Sequence, residues 1–283
     1  MTSFDLHEPR SLGETFELLE RYGEEAHVLA GGTALVLLMR SGLLLPEHVV
    51  SLQHVPGMRE IGITSDGGLE IGALVTHREI ERSALVKRFF APLAETFGRV
   101  ATVRIRNQGT IGGNLVHADP AGDPPPMLMA LDAEVAIASN GGIRTVAVGE
   151  FFQGLFETVL GPGEIVTSVR IPPPAPQTCG TYVKFLPASK DDYATVSVAA
   201  TLLRDSAGAC ERVRIALGAV ALTPVRARRA EAVLSGKTLT PERISEAAAA
   251  VLEEIDPQTD IRGSAAYKKE MARVWTERAL AAF

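Results

Sequence analysis

The chain has 283 residues, a net charge of −6, and 46% hydrophobic against 22% charged residues. That balance is ordinary for a soluble globular protein, long enough for two compact domains or one large one, and it gives no general affinity for nucleic acid or anionic membrane. No uncharged run reaches the length of a bilayer, since the longest early apolar stretch, Ala34 to Met39, is far too short, and no apolar run follows a basic leader. The two cysteines, Cys179 and Cys210, fall short of the four thiolates that an iron–sulfur cluster needs, and the six histidines show no metal-like spacing. Lone cysteines suit a reducing compartment, so a cytoplasmic location is expected.

In chain order, Ser11-Leu12-Gly13-Glu14 reads as a capping box that opens a helix with Leu12, Phe16 and Leu19 on one face and Gly23 as its stop. Ala26 to Ala30 reads as a strand entering Gly31-Gly32-Thr33, and a helix leaves that turn and stops at Gly42. Val49 to Leu52 is a further strand, and Ile61–Ile63 with Leu69–Gly72 form a hairpin around Asp66-Gly67-Gly68. Thr76 caps a helix that begins near His77, where His77 is expected to be a surface or cap-adjacent residue. Pro124-Pro125 should be extended, with Pro126 opening a helix through Leu131. Residues 133–138 and 142–148 read as strands around Asn140-Gly141, and Phe151, Phe152 and Phe156 supply aromatic core. Ile165 to Ile171 is a strand ended by Pro172-Pro173-Pro174, the best candidate domain boundary. Beyond it come strands at 181–185, 196–203 and 213–220, then helices at 226–234 and from Thr240 to Leu252, and a last helix from Ala265 that buries Tyr267, Met271 and Trp275. Hairpins mixed with helices argue for an α+β fold.

The chain is organised around Thr102 to Asp123, which carries Arg104, Arg106 and the paired glycines Gly112-Gly113 between Thr110 and Asn114. Paired glycines let a ligand approach the backbone, and successive N–H groups in such a turn can form an anion-binding nest. Gly31-Gly32-Thr33 is a second turn of this kind, feeding a helix start. Two such turns suit the two phosphates of a dinucleotide. The spacing Gly-x-Gly-x-x-Gly is missing at both pairs, so the chain is not a Rossmann domain.

Ala30-Gly31-Gly32-Thr33 together with Thr110-Ile111-Gly112-Gly113-Asn114 resembles the FAD-binding medium subunit of the molybdenum hydroxylases, the family of aerobic carbon monoxide dehydrogenase, and the FAD domain of xanthine dehydrogenase. The resemblance extends to Phe4-Asp5-Leu6-His7-Glu8-Pro9, to Ile71 to His77 and to Asp260 to Tyr267, and so covers the whole chain. It implies a two-subdomain FAD-binding fold of the PCMH/vanillyl-alcohol-oxidase type over residues 1–55 and 56–175, followed by a small α+β domain of the CO-dehydrogenase flavoprotein type over 176–283.

By that resemblance Leu29, Ala30, Gly31, Gly32, Thr33 and Ala34 lie on the FAD pyrophosphate and its approaches, and Thr110, Gly113 and Asn114 on the pyrophosphate and ribityl regions. Asp123 matches a carboxylate for ribityl or ribose hydroxyls; otherwise it is a turn-forming residue before prolines. Val166 matches a backbone contact to the flavin. Lys184, ahead of Ser189-Lys190-Asp191-Asp192-Tyr193, matches a cation near the isoalloxazine edge or is a solvated strand end. Thr76 offers a hydroxyl to FAD or caps its helix alone, and Tyr193 stacks on the flavin or covers it. Ala34 departs from the family, where relatives often carry a polar side chain. No catalytic residue and no metal ligand is expected.

FAD carries the redox chemistry in such a protein. The resemblance implies partner subunits, one with 2Fe-2S clusters and one with a molybdopterin cofactor, in a dimer of heterotrimers whose flavin subunit passes electrons to NAD, a quinone or oxygen. The alternative is a stand-alone FAD-dependent NADPH reductase similar to the enolpyruvyl-sugar reductases, for which the only polar cluster on offer in the C-terminal part is Lys190-Asp191-Asp192. A binding protein that had lost FAD is a third reading, opposed by the intact glycine motifs.

Overall fold

A computed structural model of the chain describes residues 3–187, 189 and 191–283; Lys190 lies outside the described residues. The fold is α+β. Its first part holds β1 (Asp5–His7), α1 (Leu12–Tyr22), β2 (Ala26–Leu29), α2 (Leu35–Ser41) and β3 (His48–Ser51), with the strands parallel in the order β1-β3-β2. Ser11 caps α1 by accepting from the Glu14 amide, but the Glu14 carboxylate turns to the Arg10 amide at 2.7 Å, so the reciprocal bond of a capping box is not made. Gly42, at φ 74°, closes α2 in the left-handed conformation that glycine adopts without penalty.

The second part opens with the hairpin β4 (Ile61–Ile63) and β5 (Leu69–Gly72). Five helices follow: α3 (His77–Arg82), α4 (Ala84–Gly98), α5 (Val103–Arg106), α6 (Ile111–His117) and α7 (Pro124–Ala130). Then come β6 (Glu134–Ser139), β7 (Gly142–Ala147), α8 (Val148–Phe151), β8 (Phe152–Gly154), β9 (Glu157–Thr158) and β10 (Ile165–Ile171). An antiparallel sheet in the order β4-β5-β10-β6-β7 results. One buried core runs through both parts, with Val50 and Leu52 joining Leu69, Ile71, Leu93, Phe97, Ile111, Met127 and Val169.

The third part is the antiparallel sheet β11 (Cys179–Phe185), β12 (Val196–Arg204), β13 (Cys210–Gly218) and β14 (Val225–Arg226), with α9 (Arg228–Leu234), α10 (Pro241–Ala250) and α11 (Ala265–Ala281). These elements close a second core around Val198, Ile215, Leu217, Ala247 and Leu280. Helix α7 lies between the two cores and is buried along all seven residues. Across this junction the Thr201 hydroxyl donates to the Ala130 carbonyl at 3.0 Å, and the Ala219 amide to the Pro120 carbonyl at 2.8 Å.

The structure corrects several expectations. Pro124 and Pro125 are helical, not extended: the three prolines form the first turn of α7, where backbone N–H groups have no intrahelical acceptor. A buried helix start made of prolines leaves no orphan donors there. Phe156 is 52% exposed at φ 58° and adds nothing to the core, unlike Phe151 and Phe152. Arg226 belongs to β14, so α9 begins later than the periodicity suggests. The buried face of α11 is Lys268, Ala272, Thr276, Ala279 and Leu280; Trp275 is partly buried and stacks on Phe185 at 5.1 Å, while Tyr267 is 39% exposed.

At the start of α7 the Asp123 carboxylate meets Lys184 of β11 at 2.9 Å, with both side chains almost completely buried. Removing one member of such a pair strands the other charge and costs about 3–5 kcal/mol, whereas replacing both with well-packed apolar groups is often neutral. Lys184→Met should therefore lower unfolding stability by about 3 kcal/mol in urea denaturation, and the double variant Asp123→Leu/Lys184→Met should recover most of it.

Candidate functional site: a cradle of two glycine turns

The first turn follows β2. Gly32 sits at φ 73°, a conformation that side chains disfavour. Gly31 is required for a different reason: a Cβ there would stand 1.9 Å from the Gln108 carbonyl oxygen and 3.1 Å from Gly109 Cα. The two turns thus touch backbone to backbone. Ala34, at the head of α2, provides no side-chain cap, and the amides of Gly32, Thr33 and Ala34 donate to no backbone carbonyl among the described residues. Such amides form a ready anion site.

The second turn differs from the nest expected of it. Gly112 and Gly113 lie in the first turn of α6, and their neighbours take up the amides. Thr110 caps the helix by accepting from the Gly113 amide at 3.1 Å, Ile111 donates to the Val75 carbonyl at 3.0 Å and Gly112 to the Ala73 carbonyl at 2.9 Å. Gly112 is a packing glycine, since a Cβ would stand 2.6 Å from that of Ala73. Gly113 looks the other way, and its Cβ position is 3.6 Å from Ala30 of the first turn. Asn114 Oδ1 is buried and has no hydrogen-bond donor. A buried carbonyl oxygen without a partner costs on the order of 1–3 kcal/mol, so a ligand donor is the expected remedy.

The loop between β5 and α3 supports this turn. Thr76 closes a full capping box with Glu79 and pairs with Thr110 in an isolated bridge. Its hydroxyl also donates to Glu79 at 2.7 Å and is therefore committed to the helix. His77 is cap-adjacent but is not a surface residue: it is only 2% exposed, and its amide donates to the Gly109 carbonyl at 2.9 Å. Burial, aided by the Arg106 charge, lowers the His77 pKa from 6.5 to about 4. Of the arginines approaching the motif, Arg106 turns inward to Glu81 at 3.0 Å and to the carbonyls of Val100 and Ala101, while Arg104 stays exposed.

The remaining predicted residues fall into further groups. Val166 is buried on β10, which packs against α6. Asp123 accepts from the Tyr182 hydroxyl at 2.5 Å and from Lys184, which also donates to the Arg99 carbonyl at 3.0 Å. Lys184 is thus no solvated strand end. Burial pushes the Asp123 carboxyl up, against the pull of Lys184 and Tyr182. The Tyr182 hydroxyl is raised well above its ordinary value by burial and by that carboxylate. Sequence reasoning missed Tyr182, although its two-residue offset from Lys184 puts both on one strand face. Tyr193 is 41% exposed, with the Arg262 guanidinium 5.4 Å from its ring centroid. Arg262 also pairs with Asp192 at 3.2 Å. Burial and the Asp119 carboxylate push the Tyr193 hydroxyl up to about 12.

The residues fit a flavin dinucleotide. Open amides in the first turn suit phosphate, Asn114 Oδ1 wants a hydroxyl or N–H donor, and Gly113 keeps a Cβ out of the gap between Thr110 and Ala30. The electrostatics of His77 also have a measurable consequence. A depressed folded-state pKa favours neutral imidazole, so its contribution to stability is complete above pH 6.5 and declines as pH falls towards 4. The decline should reach about 3 kcal/mol and appear in urea midpoints measured between pH 7 and pH 4. His77→Phe should remove that part of the pH slope.

Comparison with known proteins identifies the family. Residues 2–174 match the family described as the FAD binding domain in molybdopterin dehydrogenase, and residues 181–283 match the CO dehydrogenase flavoprotein C-terminal domain. The chain is 35% identical to the carbon monoxide dehydrogenase medium chain of Hydrogenophaga pseudoflava, over 98% of this chain and 96% of that one. It is 34% identical to the 6-hydroxypseudooxynicotine dehydrogenase complex subunit alpha of Paenarthrobacter nicotinovorans, over 99% and 94%. A solved structure of carbon monoxide dehydrogenase from Hydrogenophaga pseudoflava superimposes with a TM-score of 0.96 at 36% identity, covering 99% of this chain and 97% of that one. The chain belongs to the family of FAD-binding medium subunits of the molybdenum hydroxylases.

Proposed function

We propose that this chain is the flavin relay of a molybdenum hydroxylase complex, holding one non-covalent FAD and passing electrons from the 2Fe-2S clusters of a partner subunit to an external acceptor. The observation that carries the reading is the contact of the two glycine turns, with open amides on one side and the unpaired Asn114 Oδ1 on the other. When bound, FAD supplies a two-electron store between one-electron donors and the acceptor. The protein residues bind and orient it. Leu29 to Ala34 take the pyrophosphate and its approaches, with Thr110, Gly113 and Asn114 opposite. Asp123, held by Tyr182 and Lys184, keeps lone pairs for a ribityl or ribose hydroxyl. Val166 offers backbone, Lys184 a cation towards the isoalloxazine edge, and Tyr193 a cover. Thr76 acts through Thr110, which it aligns.

We assign residues 1–55 and 56–175 to the two flavin-binding subdomains and 176–283 to the domain that delivers Lys184 and Tyr193. Among the described residues no helix is long and apolar enough to cross a membrane, and a cytoplasmic complex is proposed. Its further chains are an iron–sulfur subunit and a molybdopterin subunit, assembled as a dimer of heterotrimers.

Neither glycine turn has a histidine or cysteine beside it in the position of a flavin linkage, so acid precipitation should release FAD to the supernatant. Gly113→Val should lose FAD while keeping its far-UV circular dichroism, because a valine there fills the space in front of Ala30 and presses on Thr110. A folded variant that retains stoichiometric flavin would show that the turn is structural only.

The isolated chain should bind FAD yet fail to oxidise the organic substrate of the complex, and in the complex that substrate should bleach the flavin anaerobically. Turnover of an organic substrate by the isolated chain at the rate of the complex would favour the stand-alone reductase.

A further inference from the structure

Gly109 is pressed from two sides. On one side lies Gly31, whose Cβ position is 3.1 Å from Gly109 Cα. On the other lies the His77 imidazole, with Cδ2 3.1 Å and Nε2 3.3 Å from where a Gly109 Cβ would stand. The Phe97 ring backs the imidazole, its centroid 5.5 Å away at an interplanar angle of 34°. From the aromatic ring outward the order is Phe97, His77, Gly109 and Gly31, and the last is the first turn of the cradle itself.

We propose that His77 is a positioning residue of the flavin site, its flat ring setting the spacing at which the second glycine turn meets the first. The inference rests on the reading that FAD lies between those turns. Two bonds already hold the loop, the His77 amide to the Gly109 carbonyl and the Ile111 amide to the Val75 carbonyl, which together make the bridge between Thr76 and Thr110. Both act through backbone atoms; the ring is the side chain packed against Gly109. Nδ1 is buried with no hydrogen-bond partner, so it is the thickness and planarity of the ring that the site uses. The charged groups facing it are Arg106 from α5 and, through that arginine, Glu81 from α3. Neither group hydrogen-bonds the ring, and the neutral imidazole performs no proton transfer.

The test is titration of flavin-stripped full-length chain with FAD, followed by flavin fluorescence and visible absorbance, for wild type, His77→Ala, His77→Gln and His77→Phe. Alanine removes the plate, glutamine keeps polarity without the ring, and phenylalanine keeps an aromatic ring without polarity. The expected result is at least ten-fold weaker FAD binding for the first two and binding within about three-fold of wild type for His77→Phe. Affinity in His77→Ala equal to wild type, or rescue by glutamine and not by phenylalanine, would overturn the assignment. If the alanine variant does not fold, Gly109→Ala addresses the same contact from its other face and should weaken FAD ten-fold; unchanged affinity there overturns the proposal equally. Failure of the wild-type chain to bind FAD would instead remove the flavin reading on which the inference stands.

Discussion

The Gln108 carbonyl oxygen occupies the volume that any side chain at position 31 would need. That contact joins segments about eighty residues apart, and loop closure over such a distance costs entropy that local structure does not recover. Both partners must therefore be held from outside. Strand β2 fixes the first turn through its pairing with β3. The second is fixed by the capped end of α3, by the bridge from Thr76 and by the carbonyls that Arg106 ties down. The shared core beneath both parts provides the apolar burial that offsets the ordering.

Helix α7 is the second device. It has no exposed face, and its two ends are joined to the C-terminal sheet by charge. At one end Asp123 meets Lys184 and Tyr182; just past the other, Asp132 meets Arg214 and Arg226. The first cluster is dry and the second half exposed, so their worth differs: the buried pair is sensitive to the loss of either member, while exposed pairs typically add less than about 1 kcal/mol. The buried cluster ties β11 to the start of α7.

Local signals were legible. Gly42, Thr76, Thr240 and the hairpin at Asp66-Gly67-Gly68 act where the sequence puts them, because caps and turns are decided by a few neighbouring residues. The two glycine turns stand out in the sequence, but their division of labour does not. Gly112 and Gly31 are glycines because Ala73 and Gln108 press on them, and no spacing rule reports a contact made across the fold. The burial of His77 was hidden for the same reason, since its wall is built by Phe97 and Gly109. The prolines of α7 misled because the preference of a residue before proline for extended backbone is weaker than the packing of a helix between two cores.

Ala34 is a poor residue to begin a helix, and the turn before it leaves its amides open. A serine there would cap α2 through the Val36 or Leu37 amide and leave the amides of the turn open. A phosphate held by these open amides would complete the start of α2, so binding and the ordering of this helix would be coupled. The chain with such a ligand bound would then resist proteolysis at α2 better than the chain without it.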